Sequence, residues 1–122
     1  MKLLMVEDDA ATICALEVGL EMYYPSAKTT STSLGREAID MMRENGFDIA
    51  LLDLGLPDID GLEVLKEIRR FSNVPIIVVS ARNTDETKDE ARTLGANDYI
   101  TKPFHFDALA NRIEAMTGQA IN

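Results

Sequence analysis

The chain has 122 residues, 46% of them hydrophobic and 27% charged, with a formal net charge of −9. That length fits one domain with its own core, and the negative balance argues against the domain gripping a phosphate backbone itself. The single cysteine, Cys14, leaves no internal disulfide and fits a reducing compartment, and no apolar run approaches the roughly 20 residues needed to cross a bilayer.

The opening "MKLLMV" is too short for a signal-peptide core and runs straight into Glu7, Asp8 and Asp9. "KLLMV" (2–6) reads as a first strand, apolar at successive positions and so buried on both faces. In 10–23, Ala10, Ile13, Leu16 and Leu20 recur at helical spacing, with Asp8 or Asp9 available as a cap. "AKTTS" (27–31) is a weak second strand. In 34–45, Leu34, Ala38, Met41 and Met42 form a second helical stripe.

"FDIALLD" (47–53) is a third strand that delivers a carboxylate, Asp53, before Gly55 and Pro57 break it. "DGLE" (60–63) signals a helix start, in which Gly61 reads as an ordinary turn residue. Over 61–71, Leu62, Leu65 and Ile68 make one stripe while Lys66, Glu67 and Arg70 face water. "PIIVVS" (75–80) is a fourth buried strand. "NTDE" (83–86) puts the cap-type Asn83 three residues before Glu86, opening a mostly polar helix over 84–94. Ala91 and Leu94 are its main apolar contacts, so it should be the least firmly packed helix. "DYIT" (98–101) is a last strand, and a helix covers 106–117 behind the poor cap His105, which reads as a surface residue.

Five strand–helix alternations imply an α/β domain, a doubly wound five-stranded parallel sheet with five helices. Such sheets bind ligands at the carboxyl ends of their strands. Those ends carry Glu7, Asp8 and Asp9, then Asp53, then Ser80, then Lys102. Clustered carboxylates repel one another, and a hard divalent cation relieves the repulsion. An aspartate beside such an ion can act as a nucleophile and become an aspartyl phosphate. Lys102 would supply a point charge for phosphoryl oxygens and Ser80 a hydrogen bond. Taken singly, Asp8 or Asp9 could be a cap, Ser80 a loop hydroxyl and Lys102 a surface lysine; their convergence on separate strand ends is what those readings leave unexplained.

"VEDD", "LLDLGLPDIDG", "VVSA" and "DYITKPF", in this order and spacing, closely resemble the receiver domain of bacterial two-component response regulators. The resemblance covers essentially the whole chain, and "LGANDYITKPF" brings it nearest the subfamily whose receivers precede a winged-helix DNA-binding domain. It implies a flavodoxin-like sheet of order 2-1-3-4-5, a single receiver over 1–122 and a cytoplasmic location, with either a DNA-binding effector domain beyond this chain or a stand-alone receiver. It implies that Asp53 accepts a phosphoryl group from a sensor histidine kinase. Mg²⁺ (or Mn²⁺) would be held by Glu7, Asp8, Asp53 and the backbone carbonyl of Gly55. Lys102 and Ser80 would bind the phosphoryl group, Ser80 and Tyr99 would form the switch, and the Lys102–Pro103 peptide would be cis.

On the same resemblance the domain is a phosphoacceptor that assists its own phosphotransfer and dephosphorylation, rather than an enzyme with a separate substrate. Its output face would be the fourth helix, fifth strand and fifth helix, and a homodimer would form there through Lys88, Asp98 and Arg112. Asn97 and Ala108 stand where acidic residues are usual, which weakens that dimer's charge complementarity. Gly55 and Arg82 occupy the two positions that influence loss of the phosphoryl group. Three other readings compete. An aspartyl-nucleophile phosphatase would want a second Asp where Gly55 stands. A flavin or nucleotide module would want a Gly-, Ser- or Thr-rich loop where "EDDAAT" stands. A fold-only interaction module would not need the intact set of Glu7, Asp8, Asp53, Ser80 and Lys102.

Overall fold

The apolar runs read from the sequence form the middle of one parallel sheet. A computed structural model describes residues 1–118. Strands and helices alternate as β1 (Lys2–Val6), α1 (Ala10–Tyr23), β2 (Lys28–Thr32), α2 (Gly35–Glu44), β3 (Ile49–Leu52), α3 (Gly61–Arg69), β4 (Ile76–Ser80), α4 (Asp85–Thr93), β5 (Asp98–Thr101) and α5 (Phe106–Thr117). The sheet order is β2-β1-β3-β4-β5 and every pairing is parallel. The winding reverses between β1 and β3, so the crevice for a ligand opens at their carboxyl ends. Residues 119–122, included in the expected domain, lie outside the described residues.

Side chains on a strand alternate between faces, so a run apolar at every position supplies two cores at once. Leu4, Val6, Ala50, Leu52, Ile76 and Val78 pack under α2, α3 and α4. Leu3, Met5, Ile49, Leu51, Ile77 and Val79 pack under α1 and α5 on the other side. The polar β2 begins one residue later than its expected run and buries only Thr32, which an edge strand tolerates. α1 and α5 approach closely because Gly19 faces the Phe106 ring; a Cβ there would lie 2.2 Å from it. The Tyr24 hydroxyl donates to the Ala110 carbonyl at 3.1 Å, and the Tyr23 hydroxyl donates to Asp107. No described helix is long and apolar enough to cross a membrane.

Some local expectations are corrected. Ala10 and Leu34 are exposed rather than part of the buried stripes, and Ile39 joins Ala38 and Met42 on the buried face of α2. The cap of α4 is Thr84, not Asn83; its Oγ1 accepts from the Thr87 amide at 3.2 Å. α2 has no side-chain cap of its own at Leu34. Its first amides, Gly35 and Arg36, donate instead to the two oxygens of Asp58, at 2.8 and 2.9 Å, from the loop that follows β3. α3 is capped by Asp60 as expected, and His105 at the head of α5 makes no cap bond. As expected, α4 is thinly held: among the described residues it contributes Ala91 alone to the core.

Candidate functional site

Glu7, Asp53 and Lys102 each follow a strand directly, and the sheet ladder runs one bond past the strand to hold them. The Glu7 amide donates to the Thr32 carbonyl at 3.0 Å, that of Asp53 to Val6 at 2.9 Å and that of Lys102 to Ser80 at 2.9 Å. The main chain at all three is therefore as fixed as the sheet. Glu7, Asp53 and Ser80 are buried, at 2%, 7% and 1% exposure, whereas Asp8 is exposed. Oxygens of Glu7, Asp8 and Asp53 lie within 4.8 Å of one another. Asp9, the third consecutive acid, turns away and caps α1, accepting from the Thr12 amide at 3.0 Å and hydroxyl at 2.6 Å.

Lys102 sits between the two buried acids, its Nζ 2.8 Å from Glu7 Oε2 and 3.4 Å from Asp53 Oδ2. The other Glu7 oxygen accepts from the Asp9 amide at 3.0 Å, and Asp53 Oδ1 accepts from the Gly55 amide at 3.3 Å. Burial raises the Glu7 carboxyl above its ordinary range, and the bonds from Lys102 and the Asp9 amide only partly oppose it. Burial also pushes on Asp53, but there the Lys102 charge and the Gly55 amide prevail and hold it below the ordinary range. Lys102 is likewise pushed down by burial and carried above its usual value by the bond to Glu7 and the Asp53 charge. The Lys102 charge and the Gly55 amide thus favour the ionised form of the carboxylate at the end of β3.

Residues 3–114 match the response regulator receiver domain family. The chain belongs to that family. This receiver is 43% identical over 115 residues to the transcriptional regulatory protein KdpE of Staphylococcus aureus, covering 94% of the chain and 49% of the relative. It is 38% identical over 117 residues to the cell cycle transcriptional regulator CtrA of Caulobacter vibrioides, covering 95% of the chain and 50% of the relative. The chain thus spans about half the length of these curated relatives. Among solved structures, the receiver domain of the Francisella response regulator 1452 superposes with a TM-score of 0.83 at 30% identity, covering 96% of each chain. The receiver domain of sensor histidine kinase PA1611 from Pseudomonas aeruginosa, described with a magnesium ion coordinated in its active-site cleft, superposes with a TM-score of 0.86 at 27% identity, covering 97% of this chain and 98% of that one.

The receiver's remaining candidate residues lie on two surfaces. Ser80 Oγ faces the site and accepts the Arg82 amide at 3.3 Å. Tyr99 is half-buried against the α3–α4 side of the core, its hydroxyl donating to the Arg82 carbonyl at 2.7 Å and Lys88 Nζ 6.0 Å from its ring centroid. The ring thus packs against that side of the core while its hydroxyl reaches the β4–α4 segment. Arg112 and Asp98 pair with each other within the one chain. Asn97 has a task in the fold: its side-chain oxygen accepts from Arg69 at 3.0 Å and from the Ile76 amide at 2.9 Å, tying the start of β5 to α3 and β4. The Lys102–Pro103 peptide is cis, as expected.

One residue that sequence reasoning read as an ordinary turn position belongs to the site. Gly61 is buried where α3 meets the Asp53 main chain; a Cβ would lie 2.4 Å from the Asp53 carbonyl oxygen and 2.5 Å from Leu54 Cα. Its reading as a free turn residue is corrected, and nothing in "DGLE" could have shown the contact. At Gly55 an added Cβ would come no nearer than 4.0 Å to Asp53 Oδ2, so the carboxylate stands open on that side.

Proposed function

We propose that this receiver takes a phosphoryl group from a sensor histidine kinase onto Asp53 and passes the change to an output through α4, β5 and α5. The observation that carries the proposal is the setting of Asp53: a buried, ionised carboxylate fixed by the sheet, with two further carboxylates and one ammonium gathered around it. An Asp53 oxygen would attack the phosphorus of the donor phosphohistidine, and the phosphorus–nitrogen bond would break as the imidazole leaves. Lys102, already held between Glu7 and Asp53, offsets the charge of the arriving oxygens, and Ser80 donates a hydrogen bond to one of them.

The donor set suits a hard divalent cation, for it consists of carboxylates with no thiol or imidazole among them. Glu7, Asp8, Asp53 and the Gly55 carbonyl would hold Mg²⁺. Bound there, Mg²⁺ would neutralise the clustered acids and withdraw charge from the phosphoryl oxygens. Lys102 bridging Glu7 and Asp53 shows the demand that this cluster makes for positive charge.

The phosphoryl group brings about −1.5 to −2 charges and three acceptor oxygens. Ser80 would move toward it, and the hydroxyl of Tyr99, tied to the Arg82 carbonyl one loop away, would feel that movement. A homodimer through α4, β5 and α5 would engage Lys88, Asp98 and Arg112, and would have to share or exchange the existing Arg112–Asp98 pair. By analogy with the transcriptional regulators it resembles, the domain would work in the cytoplasm ahead of a DNA-binding effector domain. A test is intact-mass analysis after incubation with acetyl phosphate and Mg²⁺. A single phosphoryl adduct on wild type, absent from Asp53→Ala, is expected; no adduct on wild type, or an unchanged one on the variant, refutes the proposal.

A further inference from the structure

Arg82 lies two residues past the end of β4, and each of its polar groups is committed to a different part of the site. The guanidinium makes a two-point ion pair with Asp60, 2.9 Å from Nη2 to Oδ2 and 3.2 Å from Nη1 to Oδ1. Nη2 also lies 3.4 Å from the Leu54 carbonyl. The Arg82 amide donates to Ser80 Oγ, and the Arg82 carbonyl accepts from the Tyr99 hydroxyl. Asp60 is itself the cap of α3, accepting from the Leu62 amide at 2.9 Å. One residue therefore joins the loop after Asp53, the hydroxyl beside Asp53 and the aromatic ring on β5.

We propose that Arg82, through its ion pair with Asp60, is the positioning residue that ties the output face to the loop carrying Asp53. The inference rests on the phosphoacceptor reading above. The segment between β4 and α4 needs such a tie, because α4 brings little of its own packing to hold the segment in place. The two side chains are 39% and 47% exposed, so water keeps the pair weak. A pair of this kind biases the arrangement of the loop by at most about five-fold. That bias is enough to favour one arrangement and small enough to be overcome when about two negative charges arrive on Asp53.

Three variants test the tie on the unphosphorylated protein. Asp60→Asn keeps a good cap for α3 and removes the ion pair. Arg82→Gln keeps every main-chain bond of residue 82 and removes the guanidinium; Arg82→Lys keeps the charge without the two-point geometry. Hydrogen exchange over residues 81–88 should quicken by about two- to five-fold in Asp60→Asn and in Arg82→Gln, with an intermediate effect in Arg82→Lys. The Tyr99 ring signals should shift in the same sense in both full losses, while β1 and β3 exchange as in wild type. The double variant Asp60→Asn/Arg82→Gln should add nothing beyond either single change. Unmoved Tyr99 signals and unchanged exchange in both single variants, or strictly additive effects in the double variant, would overturn the proposal. Acetyl phosphate labelling of the same proteins separates the two levels of inference. A wild type without an Asp53 adduct removes the phosphoacceptor reading; an adduct with Tyr99 and the exchange unmoved removes the tie alone.

Discussion

Replacing Gly61 by alanine probes the packing behind the phosphoacceptor. The added Cβ would stand 2.4 Å from the Asp53 carbonyl oxygen and 2.5 Å from Leu54 Cα, both main-chain atoms that cannot rotate away. Real Cβ contacts do not fall below 3.0 Å, so α3 and the β3 end must part by at least the difference between 3.0 and 2.4 Å, about 0.6 Å. Overpacking of this type costs about 1–3 kcal/mol. Unfolding entropy near 2.1 cal/mol/K per residue gives about 0.26 kcal/mol/K for 122 residues, so Tm should fall by about 4–12 °C. The same displacement moves Asp53 relative to Glu7 and Lys102, and labelling by acetyl phosphate should slow by about ten-fold or more. Thermal unfolding followed by circular dichroism reads the first effect and timed intact-mass analysis the second. Gly46→Ala is the control, because a Cβ there meets nothing within 4 Å. A Gly61→Ala protein that melts within about 1 °C of wild type and labels at the same rate would refute the packing argument.

At Gly19, the atoms nearest an added Cβ belong to the Phe106 ring, a half-buried side chain that can swing outward, so Gly19→Ala should lower Tm by less than Gly61→Ala in the same melts. The bonds from the Arg36 and Gly35 amides hold the Asp58 carboxyl below its ordinary range. Its stabilisation is therefore complete above the unfolded value near 3.8 and is lost as pH falls through the lower folded value. Asp58→Ala should unfold at a lower urea midpoint than wild type at pH 7, with the gap narrowing at pH 3. Mg²⁺ at about a hundred times its dissociation constant should stabilise wild type by about 2.7 kcal/mol, or about 10 °C in Tm, and Asp8→Asn should lose most of that shift without loss of fold.

The sheet was legible because its three inner strands carry unbroken apolar runs, over 3–6, 49–52 and 76–79. The convergence of Glu7, Asp8, Asp53 and Lys102 was legible because strand ends in a parallel sheet share one rim. Asp58 as the cap of α2 was not, since its partners lie more than twenty residues back and only the folded loop brings them together. Gly61 was misread for a related reason: a turn glycine and a glycine wedged against main chain look alike in sequence. The Asn83–Thr84 ambiguity is smaller, two adjacent cap formers of which only the folded turn selects one. Asn97 looked like a missing acid, yet its amide oxygen supports β4 and α3, a use visible only once Arg69 and Ile76 are beside it.

The loop from Leu54 to Asp60 closes two helices at once, α2 through Asp58 and α3 through Asp60. An added or deleted residue between Asp53 and Asp58 would pull Asp58 off the first amides of α2, while Asp60 beside Gly61 would still cap α3, so it is the reach to α2 that fixes the length of this stretch. The opposite rim is different. Gly46, exposed between α2 and β3 with open space around it, is where a fused reporter or a new pair of chain termini would be accommodated. The two strand-end rims of the sheet thus have opposite tolerance to remodelling, and a biosensor built on this receiver would carry its probe on the rim away from Asp53.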